Sequence, residues 1–267
     1  MMENEAFYRL SVFAGVFIVM ALLELLIPKR GLTGAKLKRW ITNVSFGGMN
    51  SFFIRLMALS SVPLVAMAVA EIGAVQNFGL LRVLDIPIWL SVIIALFVLD
   101  FAIYLQHWAS HKFSFLWRIH RVHHSDIDID VTTAIRFHPI EIALSMIYKC
   151  ALVYLLGINS FAVLLFEIIL NGCAMFNHSN IALPSWLDRI IRPIFVTPDM
   201  HRVHHSVIRN ETDSNYGFNL AIWDRIFGTY IEQPKEGHDK MEIGLPDYLN
   251  TNKPTKLAWS FLLPFRK

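Results

Sequence analysis

The sequence predicts an all-α integral membrane protein: about three spanning helices and a short helical hairpin, with a cytosolic histidine-rich cap holding a dimetal site. Two observations carry that prediction. The first is composition. The 267 residues are 55% hydrophobic and only 17% charged, and the apolar excess lies in long runs rather than being spread as in a soluble domain. The second is the distribution of histidine. Of the eleven histidines, all but His238 fall in helical spacings or at the ends of apolar runs. A net charge of +3, with basic residues scattered rather than gathered in a stripe, gives no argument for nucleic acid. Cys150 and Cys173 lie in apolar segments, so a disulfide framework is not expected.

The first element is a span over Tyr8 to Pro28, about the 20 residues a bilayer needs. The preceding MMENEAFYRL lacks the basic start of a signal peptide, so this helix is expected to be retained. Glu3 and Glu5 come before it, and Lys29, Arg30, Lys36, Lys38 and Arg39 after it. The positive-inside rule then puts the 29–42 loop in the cytosol. Glu24, near that end, reads as a snorkelling carboxylate. A second span is expected over 44–70, with Gly47, Gly48 and Asn50 favouring close helix contact. A third runs from Pro87 to about Gln106 and carries Asp100 and Tyr104 into the histidine region. Residues 140–156 and 161–176 form two shorter apolar helices around the turn Gly157-Ile158-Asn159-Ser160, a shallow hairpin whose ends both return to the cytosolic side. From Ser179 the chain is mixed and polar. The divisions are 1–95, 96–230 and a tail over 231–267.

The histidine spacings suit metal ligation. His107 and His111 stand i, i+4 on one helix face. The pentapeptide HRVHH occurs twice, giving His120, His123 and His124, then His201, His204 and His205. His138 and His178 sit at the two ends of the hairpin. Ten imidazoles exceed one tetrahedral zinc site and suit two ions. No HExxH is present, and no Glu-x-x-His pair of the carboxylate-bridged bundles. A haem would need histidines deep within paired spans, not at helix ends. Imidazole-rich sites suit iron, copper, nickel or zinc. A redox enzyme, a zinc-dependent lipid hydrolase and a non-enzymatic metal-binding protein therefore stay open. His238 reads as a surface residue.

The motifs go further. Asp100, Tyr104, His107 and His111 form D-x3-Y-x2-H-x3-H. LWRIHRVHH follows at 116–124, RFHP-x-E at 136–141, FNHSN at 176–180, TPDMHRVHHS at 197–206 and DSNYGFNLAIWDRIFGTY at 213–230. In this order they resemble the fatty acid hydroxylase / sterol desaturase superfamily of membrane di-iron oxygenases, over roughly 96–230. The resemblance implies a non-haem centre of two irons with O2 as co-substrate, and hydroxylation or desaturation of a lipid such as a sterol or fatty acyl chain. The ligands it implies are His107, His111, His120, His123, His124, His138, His178, His201, His204 and His205. It also implies a multi-pass protein of the bacterial inner membrane or endoplasmic reticulum, with its catalytic face cytosolic.

Metal-bound imidazoles usually donate their second N–H to a carboxylate or carbonyl. Asp100, Tyr104, Asn180, Asp199, Asp213 and Asp224 are the candidates for such outer contacts. With no fused cytochrome and no GxGxxG, electrons are expected from a separate ferredoxin or small cytochrome with its reductase. The basic residues Lys29, Arg30, Lys36, Lys38, Arg39 and Lys112 would steer an acidic donor. One further expectation comes from symmetry. In an antiparallel hairpin turning at 157–160, the numbers of His138 and His178 add to the same total as those of Lys149 and Glu167. The two charges then lie level, about 16 Å from the histidine layer at ~1.5 Å per residue. An unpaired charge there costs roughly 3 kcal/mol, so a Lys149–Glu167 contact is predicted to fix the hairpin's register.

Overall fold

A computed structural model of the protein describes residues 5–32, 35–59, 65–84 and 86–266. Among them no β-strand forms, and single bridges such as Pro28 with Ile181 join loops. The first eight helices are α1 (Glu5–Leu26), α2 (Lys36–Ala58), α3 (Ala66–Val75), α4 (Leu80–Val83), α5 (Ile88–Lys112), α6 (Ser114–His124), α7 (Pro139–Leu156) and α8 (Ser160–His178). The cap adds α9 (Ser185–Ile191), α10 (Pro198–His204), α11 (Arg209–Thr212), α12 (Ile222–Ile226), α13 (Gly237–Lys240) and α14 (Leu257–Leu262). The fold is all-α and of the integral membrane class. By length and composition α1, α5, α7 and α8 can each cross a membrane.

Two expectations change. α7 and α8, at 18 and 19 residues, are each long and apolar enough to cross a membrane, longer than the short helices the sequence suggested. The span expected over 44–70 is two helices, with 60–64 between them outside the described residues. Lys36, Lys38, Arg39 and Arg55 make α2 too polar for a simple span, and α3 folds back onto α7 and α8.

The membrane core is apolar and close-packed. Ala66, Ala70, Leu99, Val153, Ala162 and Phe166 join α3, α5, α7 and α8. The hairpin is punctuated as its sequence suggests: Gly157 takes the left-handed conformation (φ 66°) that ends α7, and Asn159 Oδ1 accepts from Ala162 N (2.8 Å) to start α8. Across it, Lys149 Nζ donates to Glu167 Oε1. A third charge joins them: Arg9 of α1 reaches Glu167 Oε2 at 2.5 Å and Glu5 at 2.8 Å. The two arms are therefore unequal. Glu167→Gln leaves both cations without their buried carboxylate and is expected to cost about 3–5 kcal/mol, as for breaking a buried pair. Lys149→Met leaves Arg9 on Glu167 and is expected to cost clearly less. Thermal unfolding in micelles gives the order, and equal losses would mean that Arg9 contributes nothing.

The cap is fastened by buried polar groups. Glu24 does not snorkel: it is 6% exposed, and its Oε1 accepts from Val131 N (2.7 Å) and Asn180 N (2.8 Å). Arg39, fully buried, holds Asp126 (2.6 and 2.9 Å) and Asp130 (2.8 Å). Arg136, also fully buried, donates to Asn43 Oδ1, Val122 O and Pro254 O. Through Pro254 the residues after 230 are tied into the cap. The expected basic docking face is mostly consumed. Arg39 is buried, Lys29 pairs with Asp199, Arg30 with the His238 and Met241 carbonyls, and Lys112 with Asp213. His238 is buried, not a surface residue, and lies beside Arg202 and Asp199.

Candidate metal centre

Nine histidines converge where α5, α6, α8 and α10 meet, and they divide into two groups. One ring nitrogen from each of His107, His111, His120, His124 and His204 lies within 4.8 Å of the others. His123, His178, His201 and His205 form the second group under the same limit. The groups adjoin: the His123–His124 and His204–His205 ring centres are 5.4 and 5.5 Å apart. Helical spacing explains the convergence. The α5 pair points its i, i+4 face inward, and each HRVHH helix end splits its histidines between the two groups.

Hydrogen bonds orient the rings. His107 Nδ1 bonds to Tyr216 O (2.8 Å), His178 Nδ1 to Ala174 O (2.7 Å) and His204 Nδ1 to Ser214 O (2.7 Å). A carbonyl only accepts, so each of these Nδ1 carries the proton and each Nε2 keeps its lone pair. His120 Nδ1 meets Glu141 Oε1 at 2.6 Å. In the group of five, every Nε2 is buried and has no hydrogen-bond partner. In the group of four, His178 Nε2 stands 3.1 Å from His123 Nε2 and 3.0 Å from His201 Nε2. A single lone pair serves two such neighbours poorly. Nitrogens bound about 2.1 Å from one ion and at right angles to each other stand about 3 Å apart, so the spacing fits a shared metal.

Electrostatics agrees with the geometry. Burial, then the neighbouring imidazoles, holds His123, His124, His201 and His205 well below the usual range. Burial brings His204 to about 3. These five rings are therefore neutral near pH 7, the state a metal ligand needs. Five buried unpartnered nitrogens would each cost about 1–3 kcal/mol as plain core groups. The donor set fits two metal ions better than a satisfied polar core.

His138 lies outside both groups. Its Nδ1 accepts from Ile140 N (3.2 Å), capping α7, and its Nε2 meets Phe261 O (3.2 Å). Both nitrogens are thereby used, which leaves no free lone pair for a metal. Among the other candidates, Asp213 comes nearest a clustered ring, at 3.5 Å from His111 Nδ1. Asp224 acts one step back, accepting from Tyr216 N (2.8 Å) and Gly217 N (2.7 Å), and so aims the Tyr216 carbonyl at His107. A Cβ on Gly217 would sit 2.8 Å from Asp224 Oδ2, so only glycine fits there. Tyr104 OH meets Thr229 Oγ1 (3.0 Å), which donates to Asp224 (2.6 Å). Asp100 accepts from Trp223 Nε1 (2.7 Å). Asn180 pairs with the Arg30 backbone and Asp199 with Lys29 and Arg202, away from the rings.

Glu141 closes the RFHP-x-E motif but was not among the candidate site residues. Its signal was a lone carboxylate in the first turn of an apolar helix, three residues after His138. Glu141→Gln removes the negative partner of His120 and is expected to lower metal affinity about 10–100-fold. Competition with a chelator measures this, and unchanged affinity would mean that the contact is only structural.

A cavity of ≈ 470 Å³ opens onto the group of five, with His107 and His120 in its wall. Ile54, Ile142, Leu170 and Phe218 line its apolar remainder.

The fold and the twin imidazole groups define an all-α membrane protein with a two-part histidine centre. The chain belongs to the fatty acid hydroxylase family, whose model matches residues 92–229. It is 32% identical over 186 residues to the ornithine lipid hydroxylase OlsE of Rhizobium tropici, covering 68% of this chain and 53% of that protein. It is 29% identical over 258 residues to human alkylglycerol monooxygenase, covering 92% and 52%. The Delta(7)-sterol 5(6)-desaturase erg3B of Aspergillus fumigatus is 25% identical over 194 residues, covering 69% and 55%. The chain thus spans about half the length of these curated relatives. No solved structure matches it significantly.

Proposed function

We propose that the protein carries out O2-dependent hydroxylation or desaturation of a membrane lipid at a non-haem di-iron centre. The observation that carries this reading is the pair of adjoining buried imidazole groups, one of which faces an apolar cavity. The names of the relatives support it, since each is a lipid hydroxylase, monooxygenase or desaturase. His107, His111, His120, His124 and His204 would hold one iron, and His123, His178, His201 and His205 the other. When bound, the irons supply O2 activation and the C–H oxidation, with two electrons from a separate ferredoxin or small cytochrome and its reductase.

The chain's own groups do the rest. Glu141 and the carbonyls of Ala174, Ser214 and Tyr216 hold the ring protons on the outer side, so that the lone pairs face inward. The cavity walls bring hydrocarbon to His107 and His120. Residues 96–230 form the catalytic unit, the helices of 1–95 hold it in a bacterial inner membrane or endoplasmic reticulum, and the catalytic face is cytosolic. The test is lipid analysis of cells expressing the protein or its His123→Ala variant under heavy-isotope O2. A lipid that gains labelled oxygen or loses two hydrogens only with the unaltered protein supports the reading. Identical lipid profiles from the two would defeat it.

A further inference from the structure

A second apolar cavity, of ≈ 390 Å³, lies beside the metal-facing one on the other side of the α5–α7 contact. Leu105, Ala109, Leu116, Ile119, Leu144 and Tyr148 line it. None of the nine clustered histidines does. Leu105 and Leu144 are 38% and 40% exposed, which puts its open side among outward-facing apolar residues.

Four residues line both cavities: Gln106 and Ser110 of α5, and Glu141 and Ser145 of α7. Each pair is spaced i, i+4, so each helix turns one polar strip toward the other. Ser145 Oγ donates to Gln106 Oε1 at 3.1 Å, and Glu141 Oε2 is buried without a partner. An ionisable side chain such as Glu141 is costly inside a membrane helix bundle. Here the four side chains form the partition between two hydrocarbon-lined chambers. One chamber leads to His107 and His120 and the other does not.

We infer that the second chamber takes the second hydrocarbon chain of a two-chain lipid, whose polar linkage rests on the Gln106–Ser145 partition. The inference rests on the reading that the substrate is a lipid, and it narrows the class. A sterol is one rigid body and a single-chain lipid has one tail, so neither uses two chambers separated by a polar wall. An ester, amide or hydroxyl between two chains gives the partition a hydrogen-bonding partner. It also fixes how far along the first chain the carbon facing His107 and His120 lies. Gln106 and Ser145 are thus positioning residues that select the oxidised carbon.

The test measures binding to the metal-loaded protein without reductant, so it does not depend on oxidation. The protein in micelles is offered equal amounts of dioleoylglycerol, monooleoylglycerol and cholesterol, and the retained lipid is quantified by mass spectrometry. The unaltered protein should retain the two-chain lipid about tenfold or more over the others, given the apolar surface of the second chain. Leu116→Trp and Leu144→Trp fill the second chamber from two different helices. Each should abolish that preference while leaving monooleoylglycerol binding unchanged, which also shows that the variant is folded. Ser145→Ala should weaken dioleoylglycerol but not a two-chain hydrocarbon without a linkage. Equal retention of all three lipids, a preference for cholesterol, or a preference untouched by both tryptophans would overturn the inference. If the preference behaves as expected but no lipid is oxidised in labelled O2, the chamber stands and the proposed reaction fails. If a lipid is oxidised but the preference does not depend on the chamber, the reaction stands and the chamber fails.

Discussion

His178→Ala is expected to empty the four-histidine half of the centre and to reduce lipid oxidation by at least about a hundredfold. His178 has this leverage because its Nε2 lies within 3.1 Å of two other ligand nitrogens, those of His123 and His201. Its ring is fully buried and held by the Ala174 carbonyl, so no neighbour can swing in to replace it. Metal content should fall to about half, because the group of five does not use His178. Quantifying metal per chain separates the two halves. Full metal content with unimpaired turnover would show that His178 is a packing residue.

Arg39→Met is expected to cost about 3–5 kcal/mol of stability, as a broken buried ion network. It strands Asp126 and Asp130, which are 1% and 0% exposed. Burial alone pushes the Asp126 carboxyl up; the charges of Arg39 and Arg136 reverse this and hold it at about 2. Its unfolded value is about 3.9. A depressed carboxylate stabilises the fold above the unfolded value, and the contribution is lost as pH falls from about 4 toward 2. The unaltered protein should therefore show an acid transition in that window. The variant should lose much of it, because Asp126 then starts with fewer charges in its favour. Unfolding midpoints against pH measure both, and an unchanged acid limb would place the stabilisation elsewhere.

Much of this arrangement was legible in the sequence because it depends on period and punctuation. The i, i+4 pair His107 and His111, the twin HRVHH segments and the Gly157 turn each fix a local geometry, and those geometries converge. The Lys149–Glu167 contact followed from hairpin symmetry alone. Tertiary partners were not legible. Arg9 reaches Glu167 from the first helix of the chain, and nothing local announces it. Arg39 looks like a topology signal in the sequence and is a buried structural cation in the fold. His138 has the right neighbours in sequence, but its backbone position at the start of α7 turns the ring to capping. Ring tautomers depend on carbonyls such as Tyr216 O, which carry no residue-type signal at all.

The most direct measurement of the central claim is the metal content of protein purified without chelator and under exclusion of oxygen, followed by a single exposure to O2 with lipid and reductant. Two irons per chain, with a hydroxylated or desaturated lipid formed only when O2 is admitted, is the expected result. Zinc in the same sites, with ester or amide cleavage that proceeds equally well without O2, would contradict it.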